Sequence, residues 1–140
     1  MSARAFIDTN VFVYSLIADD PRKSGRSETL IADSIQSHTG VISYQVVQEF
    51  FNVALKRFTP PMTLAEAEQF MSTTFRPLLA IHSSTRLFLQ AMRLVTTDRL
   101  SWYDSLIVAA ALESDCRILF SEDLQHGRKF GDLIVENPFR

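Results

Sequence analysis

The sequence predicts an α/β domain built on a mostly parallel sheet that helices cover on both faces. Apolar runs of four or five residues alternate with longer segments whose apolar residues recur at helical spacing. Runs that are apolar at nearly every position are typical of parallel strands, because both faces of such a sheet are buried. The length of 140 residues and the hydrophobic content of 46% suit one domain with its own core, and we assign residues 1–140 to it.

The predicted elements follow one another in a regular order. Strands are predicted at residues 5–8, 40–43, 77–81, 117–120 and 133–136, and helices at residues 10–17, 27–36, 44–58, 64–75, 85–95 and 102–114. Helix 44–58 ends before Pro60 and Pro61, and helix 64–75 begins with a capping-box pattern from Thr63 to Glu66. Functional groups in such folds gather at the carboxyl ends of the strands, so residues that follow a strand are the first candidates for chemistry.

Composition predicts a soluble cytoplasmic protein. Cys116 is the single cysteine, so no disulfide can form within the chain, as expected in a reducing compartment. The apolar run at residues 6–18 is interrupted by Asp8 and Asn10, and no cleavage pattern of small residues follows it, which argues against a signal peptide. No stretch reaches the ~18 apolar residues of a membrane helix.

The overall charge does not mark the chain as a nucleic-acid binder. The net charge is −2 and the isoelectric point about 5.9. Contact with phosphate therefore needs local basic groups or bound cations. Arg22, Lys23 and Arg26 form a small basic cluster that could contact a phosphate backbone, although clusters of this size are more often solvated surface.

Asp8 and Glu49 are the first two candidate acids. Asp8 ends the first predicted strand, which puts its carboxylate at the carboxyl edge of the sheet, but Asp is also a favoured N-cap of a following helix. Glu49 lies in helix 44–58 just outside its apolar arc, where it could equally be a boundary residue beside Lys56. The sequence leaves both explanations open for each residue.

Asp104 and Asp123 complete the acidic set. Helix 102–114 is apolar nearly all round and is therefore expected to be buried, so a carboxylate in its first turn needs a partner. That partner could be the helix itself, because Ser101 and Asp104 fit a capping box. Asp123 follows the strand at 117–120, where a turn or cap is the plain alternative and Glu122 competes for the same role.

Four carboxylates at one sheet edge predict a bound divalent cation. Such a cluster repels itself unless a cation compensates its charge, and hard oxygen ligands select Mg²⁺ or Mn²⁺ over zinc. No Cys and His pattern for zinc is present, since the cysteine is single and His38, His82 and His126 are scattered. We expect these histidines to be structural or surface residues.

These segments resemble the PIN-domain nucleases, and most closely the VapC-type toxins of type II toxin–antitoxin pairs. The likeness rests on FIDTNV at residues 6–11, VQEF at 47–50, WYDSLI at 102–107, SEDL at 121–124 and IVENPF at 134–139. The motifs occur in the family's order at compatible spacing, and together they cover essentially the whole chain. The adjacent Glu122 and Asp123 are a mild departure that leaves the identity of the fourth acid open.

The resemblance implies a fold, an activity and partners. The fold would be a central parallel sheet of about five strands, and the activity a Mg²⁺-dependent endoribonuclease in which Mn²⁺ can replace Mg²⁺. The family's metal-binding and catalytic acids would be Asp8, Glu49, Asp104 and Asp123, oriented by Thr9, Asn10 and Ser121. Apart from the resemblance, the basic cluster of Arg22, Lys23 and Arg26 could contact the RNA backbone nearby. Family members are commonly homodimers that a cognate antitoxin silences.

Three other interpretations remain from the sequence. An aspartate-nucleophile phosphatase also places Asp after the first strand, but it wants a second acid where Asn10 stands. A receiver domain, or a PIN-like fold kept only for binding, would keep the sheet without needing acids at all four positions. An RNA-processing nuclease without a toxin role would look the same in a single chain.

Overall fold

The computed structural model describes residues 3–17 and 19–140, which form one α/β unit around a twisted six-stranded sheet. The strands are β1 Ala5–Ile7, β2 Gly40–Ser43, β3 Leu79–Ile81, β4 Ile118–Phe120, β5 Lys129–Phe130 and β6 Leu133–Glu136. Their order across the sheet is β3-β2-β1-β4-β6-β5, and every neighbouring pair is parallel except β5 and β6. Residues 1, 2 and 18 of the predicted domain, with Ala18 at the end of the apolar run, lie outside the described residues.

Six α-helices connect and flank these strands. They are α1 Thr9–Leu16, α2 Pro21–Gln36, α3 Tyr44–Lys56, α4 Leu64–Phe70, α5 Thr85–Thr97 and α6 Trp102–Glu113. Helices α1, α2 and α3 pack together in one group and α5 and α6 in another, and both groups contact β2. The predicted α/β class with a mostly parallel sheet is confirmed.

The differences from the predicted elements have local causes. The sheet has six strands rather than about five, because the two-residue β5 pairs antiparallel with β6 at one edge and is too short to show a periodic pattern. Helix α2 begins at Pro21, six residues before the predicted start, because Asp20 caps the backbone N–H groups of Arg22 and Lys23. The predicted helix 64–75 changes at Met71 into a π-helical turn that continues to Phe75.

A cluster of aromatic rings holds α1, α3 and α4 together. Phe50 stacks on Phe70 with ring centroids 4.8 Å apart, and Phe75 meets Phe12 and Phe50 edge-to-face at 5.0 and 5.2 Å. Phe12, Phe50 and Phe75 are fully buried. Truncation of such a residue to Ala typically costs about 3–5 kcal/mol, so this cluster fixes the helix that carries Glu49 against the helix that follows Asp8.

Helix α6 runs through the core from Ser105 to Ala111, where every residue is buried. Strands β1 and β4 are the two central strands of the sheet, and β1 is buried along its whole length. The carboxyl ends of β1 and β4 therefore lie side by side in the middle of the sheet. Among residues 3–17 and 19–140, no helix is both long and apolar enough to cross a membrane.

Candidate active site

Asp8 stands at the carboxyl end of β1, the strand between β2 and β4. It caps α1: its Oδ1 accepts a hydrogen bond from the backbone N–H of Thr9 at 2.7 Å, and its Oδ2 accepts one from Ser121 Oγ at 2.8 Å. The pKa of Asp8 is raised to about 7, mainly by burial and also by the negative charges of Asp123 and Glu49, although the two hydrogen bonds act to lower it. The capping explanation and the cluster explanation of Asp8 therefore both hold.

Glu49 reaches the same edge from α3, which begins directly after β2. Its Oε1 accepts hydrogen bonds from Thr9 Oγ1 at 3.1 Å and from Gln45 Nε2 at 3.3 Å. Burial raises the pKa of Glu49, and so do the charges of Asp104 and Asp123, while the two hydrogen bonds act in the opposite direction. Its partners are therefore site residues, and Lys56 is not one of them.

Asp104 enters from the first turn of α6. Ser101 caps this helix by accepting a hydrogen bond from the backbone N–H of Asp104 at 3.2 Å, which is one half of the predicted capping box. The other half, a bond from the Ser101 backbone N–H to the Asp104 carboxylate, does not form in the described part of the chain. Within the described part of the chain, the half-buried carboxylate of Asp104 accepts no hydrogen bond. Burial is the main cause of the raised pKa of Glu49 and of Asp123, and the charge of Asp104 adds to both, so it lies within electrostatic reach of the other acids.

The structure separates the two candidates for the fourth acid. Both oxygens of Asp123 lie 3.3 Å from Asn10 Nδ2, and the pKa of Asp123 is raised by partial burial first and then by the charges of Asp104 and Glu122. Glu122 turns away to bind Lys23 Nζ at 2.5 Å and Tyr14 Oη at 2.6 Å. Burial opposes ionisation of Glu122, but those two hydrogen bonds outweigh it and lower its pKa. Asp123 is the acid that joins the cluster.

Hydrogen bonds connect three of the four acids, Asp8, Glu49 and Asp123, through the residues between them. Thr9 bridges Asp8 and Glu49, and Asn10 binds Asp123. Ser121 is fully buried and accepts a hydrogen bond from the backbone N–H of Asp123 at 3.2 Å while donating to Asp8. The three residues expected to orient the acids thus each contact one of them.

Gln45 is a site residue that the sequence reasoning missed. Its amide Nε2 lies 3.3 Å from Glu49 Oε1 and also 3.3 Å from the carbonyl oxygen of Tyr103, so it links α3 to the first turn of α6. The signal was available in the sequence, because Gln45 precedes Glu49 by four residues and such residues are neighbours on a helix surface. Tyr14 was missed as well, since its contact with Glu122 spans 108 residues of sequence.

The basic cluster of α2 is largely occupied by other contacts. Lys23 pairs with Glu122 and lies over the rings of Tyr14 and Phe139, at 4.7 and 5.4 Å from their centroids. Arg26 donates through Nε to the carbonyl oxygen of Pro138 at 3.2 Å, whereas the side chain of Arg22 is exposed. Two of the three predicted RNA contacts therefore hold the carboxyl-terminal residues, and their contact with RNA stays a prediction.

The donor set of the cluster fits a divalent cation. The ion pairs formed in the described part of the chain, Lys23–Glu122 and Arg128–Asp98, involve none of the four acids. Among residues 3–17 and 19–140, no group of three Asp, Glu, His or Cys side chains is arranged so that it could hold a metal ion. Mg²⁺ typically binds through one or two carboxylates and keeps several waters, so an open arrangement of oxygen donors suits it better than a closed cage would.

A comparison of the whole sequence with models of known protein families assigns the chain to a family. The sequence model of the PIN domain matches residues 5–129, nine-tenths of the chain. The chain belongs to the PIN-domain family. The matched segment contains all four acids and the residues that bind them, and the family is one of nucleases. No curated protein matches the sequence.

Solved structures of toxin–antitoxin proteins share the fold. A toxin–antitoxin complex from Klebsiella pneumoniae aligns with a TM-score of 0.65 and 17% identity over 96% of this chain and 97% of that one. VapC20 of Mycobacterium tuberculosis, a sarcin–ricin-loop-cleaving toxin, aligns with a TM-score of 0.65 and 22% identity over 85% of this chain and 89% of that one. VapBC2 of Rickettsia felis, bound to promoter DNA, aligns with a TM-score of 0.64 and 17% identity over 94% of this chain and 96% of that one. Identities this low establish the fold alone.

Proposed function

We propose that this PIN domain is a Mg²⁺-dependent endoribonuclease whose site consists of Asp8, Glu49, Asp104 and Asp123. The observation that carries the proposal is that Asp8, Glu49 and Asp123 share one hydrogen-bonded network, with Asp104 in electrostatic reach and no basic partner in the described part of the chain. A fold that needed these acids only as caps would gain nothing from raising the pKa values of three of them. A bound cation would neutralise the cluster and explain why carboxylates with raised pKa values lie close together.

The position of each acid determines the role that we propose for it. Asp8 and Asp104 are the principal cation ligands, because Asp104 has a carboxylate free of protein hydrogen bonds in the described structure and Asp8 is held rigidly from both sides. Asp123 completes the ligand set at the exposed rim. Glu49 binds the cation directly or through water, or accepts the proton of the attacking water. Its Oε1 is occupied by Thr9 and Gln45, so Oε2 is the oxygen that remains for this role.

Phosphodiester hydrolysis needs a water activated as a nucleophile and a phosphate whose charge is neutralised. A divalent cation supplies both when bound, because it lowers the pKa of its water and withdraws charge from the phosphate oxygens. The protein's part is to hold its carboxylates in place before substrate arrives. Thr9, Asn10 and Ser121 do this through hydrogen bonds that span α1 and the loop after β4. Such supporting contacts typically change metal affinity or activity by about 10–100-fold when they are removed.

RNA is the proposed substrate, and a toxin role with a cognate antitoxin is the proposed context. The likeness to VapC20, a toxin that cleaves the sarcin–ricin loop, supports RNA, and the two toxin–antitoxin complexes among the similar structures support an inhibitory protein partner. The proposal includes a homodimer acting in the cytoplasm. An RNA-processing nuclease without a toxin role, or a PIN-like domain that only binds, is the alternative.

The nuclease proposal is tested by a single-atom change at its centre. Asp8→Asn removes one charge but keeps the shape that caps α1, so Mg²⁺-dependent cleavage of RNA should be lost while circular dichroism stays native. The matched control is Asp132→Asn, which makes the same change at an exposed position beside Gly131 in the β5–β6 turn and should leave cleavage intact. An Asp8→Asn protein that cuts RNA at the wild-type rate would refute the assignment.

The alternatives need separate measurements. Calorimetric titration with Mn²⁺ should show binding to the wild type and weakened binding to Asp104→Asn; wild-type protein that takes up no Mn²⁺ would support the inert alternative. Expression of the chain should arrest growth, and co-expression of the product of an adjacent small gene should relieve the arrest. Growth that is unaffected, together with active purified enzyme, would favour RNA processing over a toxin role.

A further inference from the structure

Tyr103 is the more exposed of the two aromatic residues in the first turn of α6. The helix is buried at every position from Ser105 to Ala111, but its first turn is not, and Tyr103 there is 64% exposed. Single exposed apolar side chains are common on protein surfaces, so exposure alone carries no meaning. What distinguishes Tyr103 is its position beside the carboxylate cluster.

The backbone of Tyr103 is part of the site network. Its carbonyl oxygen accepts a hydrogen bond from Gln45 Nε2, the same amide group that binds Glu49. Tyr103 directly precedes Asp104, so their Cα atoms are ~3.8 Å apart and their side chains leave the helix about 100° from each other. The backbone of Tyr103 thus lies at the edge of the site, where it binds the amide group that also orients Glu49.

Trp102, the neighbouring aromatic residue, has a different environment. Its ring lies 6.2 Å from that of Phe88 on α5, and 37% of the residue is exposed. Tyr103 makes no such ring contact within the described part of the chain, and its face is available. Trp102 braces α6 against α5, whereas Tyr103 offers an unoccupied aromatic surface.

An acidic site has a specific need for a neutral binding group. Beyond the proposed cation, little positive charge is available to bind RNA, because the chain has a net charge of −2 and Lys23 is already paired with Glu122. Aromatic rings hold nucleobases by stacking, which requires no positive charge and tolerates any base. Proteins that recognise RNA use such rings for bases that have left the helical stack.

We infer that Tyr103 is a stacking platform for an unpaired nucleobase next to the phosphodiester that is cut. The inference rests on the proposed nuclease function and narrows its substrate class to RNA segments that present a splayed base, such as single strands and loops. Tyr103 binds the base and does not touch the reacting atoms. Its loss should therefore weaken substrate binding much more than the chemical step.

Steady-state kinetics on a loop RNA provide the first test. Tyr103→Ala should raise KM roughly 10-fold or more, since stacking of one base is worth ~1–3 kcal/mol. Tyr103→Leu should show a similar defect because it keeps apolar bulk but lacks a ring, and Tyr103→Phe should restore KM. The control is Leu64→Ala, which shortens an exposed apolar side chain on α4 and should change neither constant. Equal KM values for the Tyr, Leu and Ala forms would overturn the inference.

A second test removes the nucleobase from the RNA instead of the ring from the protein, so misfolding of a variant cannot cause the effect. RNAs carrying one abasic nucleotide at successive positions around the mapped cleavage site should include one position at which the wild type loses ~10-fold in kcat/KM. At that position Tyr103→Ala should lose nothing further, because both changes remove the same contact. Independent, multiplicative losses at every position would overturn the platform.

The outcomes also separate this inference from the function on which it rests. If the wild type cleaves no RNA with Mg²⁺ or Mn²⁺, the proposed function fails before Tyr103 is tested. If the wild type cleaves and Asp8→Asn is inactive but Tyr103→Ala has the wild-type KM, only the platform fails. A Tyr103→Ala protein with normal KM and weakened self-association would assign the residue to a protein interface and overturn the inference.

Discussion

Glu122 and Asp123 are adjacent in the chain, yet their carboxylates belong to two regions with opposite electrostatics. Glu122 enters a clamp made by Lys23 and Tyr14, which lowers its pKa. Asp123 enters the cluster with Asp8, Glu49 and Asp104, and its pKa is raised. The clamp stabilises the charge that it holds, whereas the cluster concentrates charge that the protein alone does not compensate. The comparison shows that neighbouring side chains of one loop enter environments that shift their pKa values in opposite directions, Glu122 in the clamp and Asp123 in the proposed site.

The largest expected effect is on the stability of the cation-free protein. Asp8 has a pKa of about 7 in the fold against an ordinary value of 3.8, so the folded protein binds the extra proton between these values. Stability should therefore be greatest near pH 4, fall as pH rises to about 7 and level off above it. Asp8→Asn should remove most of this dependence and should be more stable than the wild type at pH 8 by a few kcal/mol.

Urea unfolding of both proteins in EDTA from pH 4 to pH 8 measures this effect. Adding Mg²⁺ or Mn²⁺ at pH 8 should recover the stability of the wild type and leave Asp8→Asn unchanged. Parallel pH curves for the two proteins would show that burial and neighbouring charges do not raise the pKa of Asp8 in the folded protein.

The second prediction sets Asp123 against Glu122 in catalysis. Asp123→Asn should reduce RNA cleavage on the order of 100-fold, because it removes a carboxylate of the cluster. Glu122→Gln leaves the cluster intact and should change cleavage much less, although the melting temperature should fall by a few degrees through loss of the clamp. Initial rates and thermal melts of both variants should show this crossed pattern, and equal losses of activity would erase the distinction between the two acids.

The third prediction concerns the hydrogen bond that Ser121, in the loop after β4, donates to Asp8, directly after β1. Ser121→Ala removes a hydrogen bond that lowers the pKa of Asp8, so this pKa should rise further. Asp8 would then ionise at higher pH, and Mn²⁺ binding should begin at higher pH than in the wild type. Calorimetric titrations across pH 6 to 9 follow that midpoint. A midpoint that moves to lower pH, or stays in place, would contradict the role given to Ser121.

The smallest expected effect is that of salt on the clamp. Lys23→Met should lower the melting temperature slightly, and the difference from wild type should shrink as salt screens the exposed part of the ion pair. Lys23→Arg should retain most of the stability because it keeps the charge beside Glu122. Melting curves at low and high NaCl for the three proteins provide the measurement. A difference that grows with salt would assign the effect of Lys23 to packing on Tyr14 and Phe139 instead.

Much of the fold could be predicted because its signals are local. Apolar runs and helical periodicity placed all six helices and five of the six strands, and Ser101 and Thr63 marked helix starts correctly. The elements that were missed lack a local signal. Strand β5 has two residues and exists only by pairing with β6, and the early start of α2 depends on a cap at Asp20 followed by a polar first turn.

Residues close along the chain set the strand and helix boundaries, and through them which side chains reach the carboxyl edge of the sheet. Which of these side chains meet depends instead on how the elements pack. Asp123 rather than Glu122 faces the cluster, Gln45 couples Glu49 to α6, and Lys23 is diverted to the clamp. Most of these contacts join residues tens of positions apart in sequence, where distance and burial, and not local pattern, set the energy of a charge.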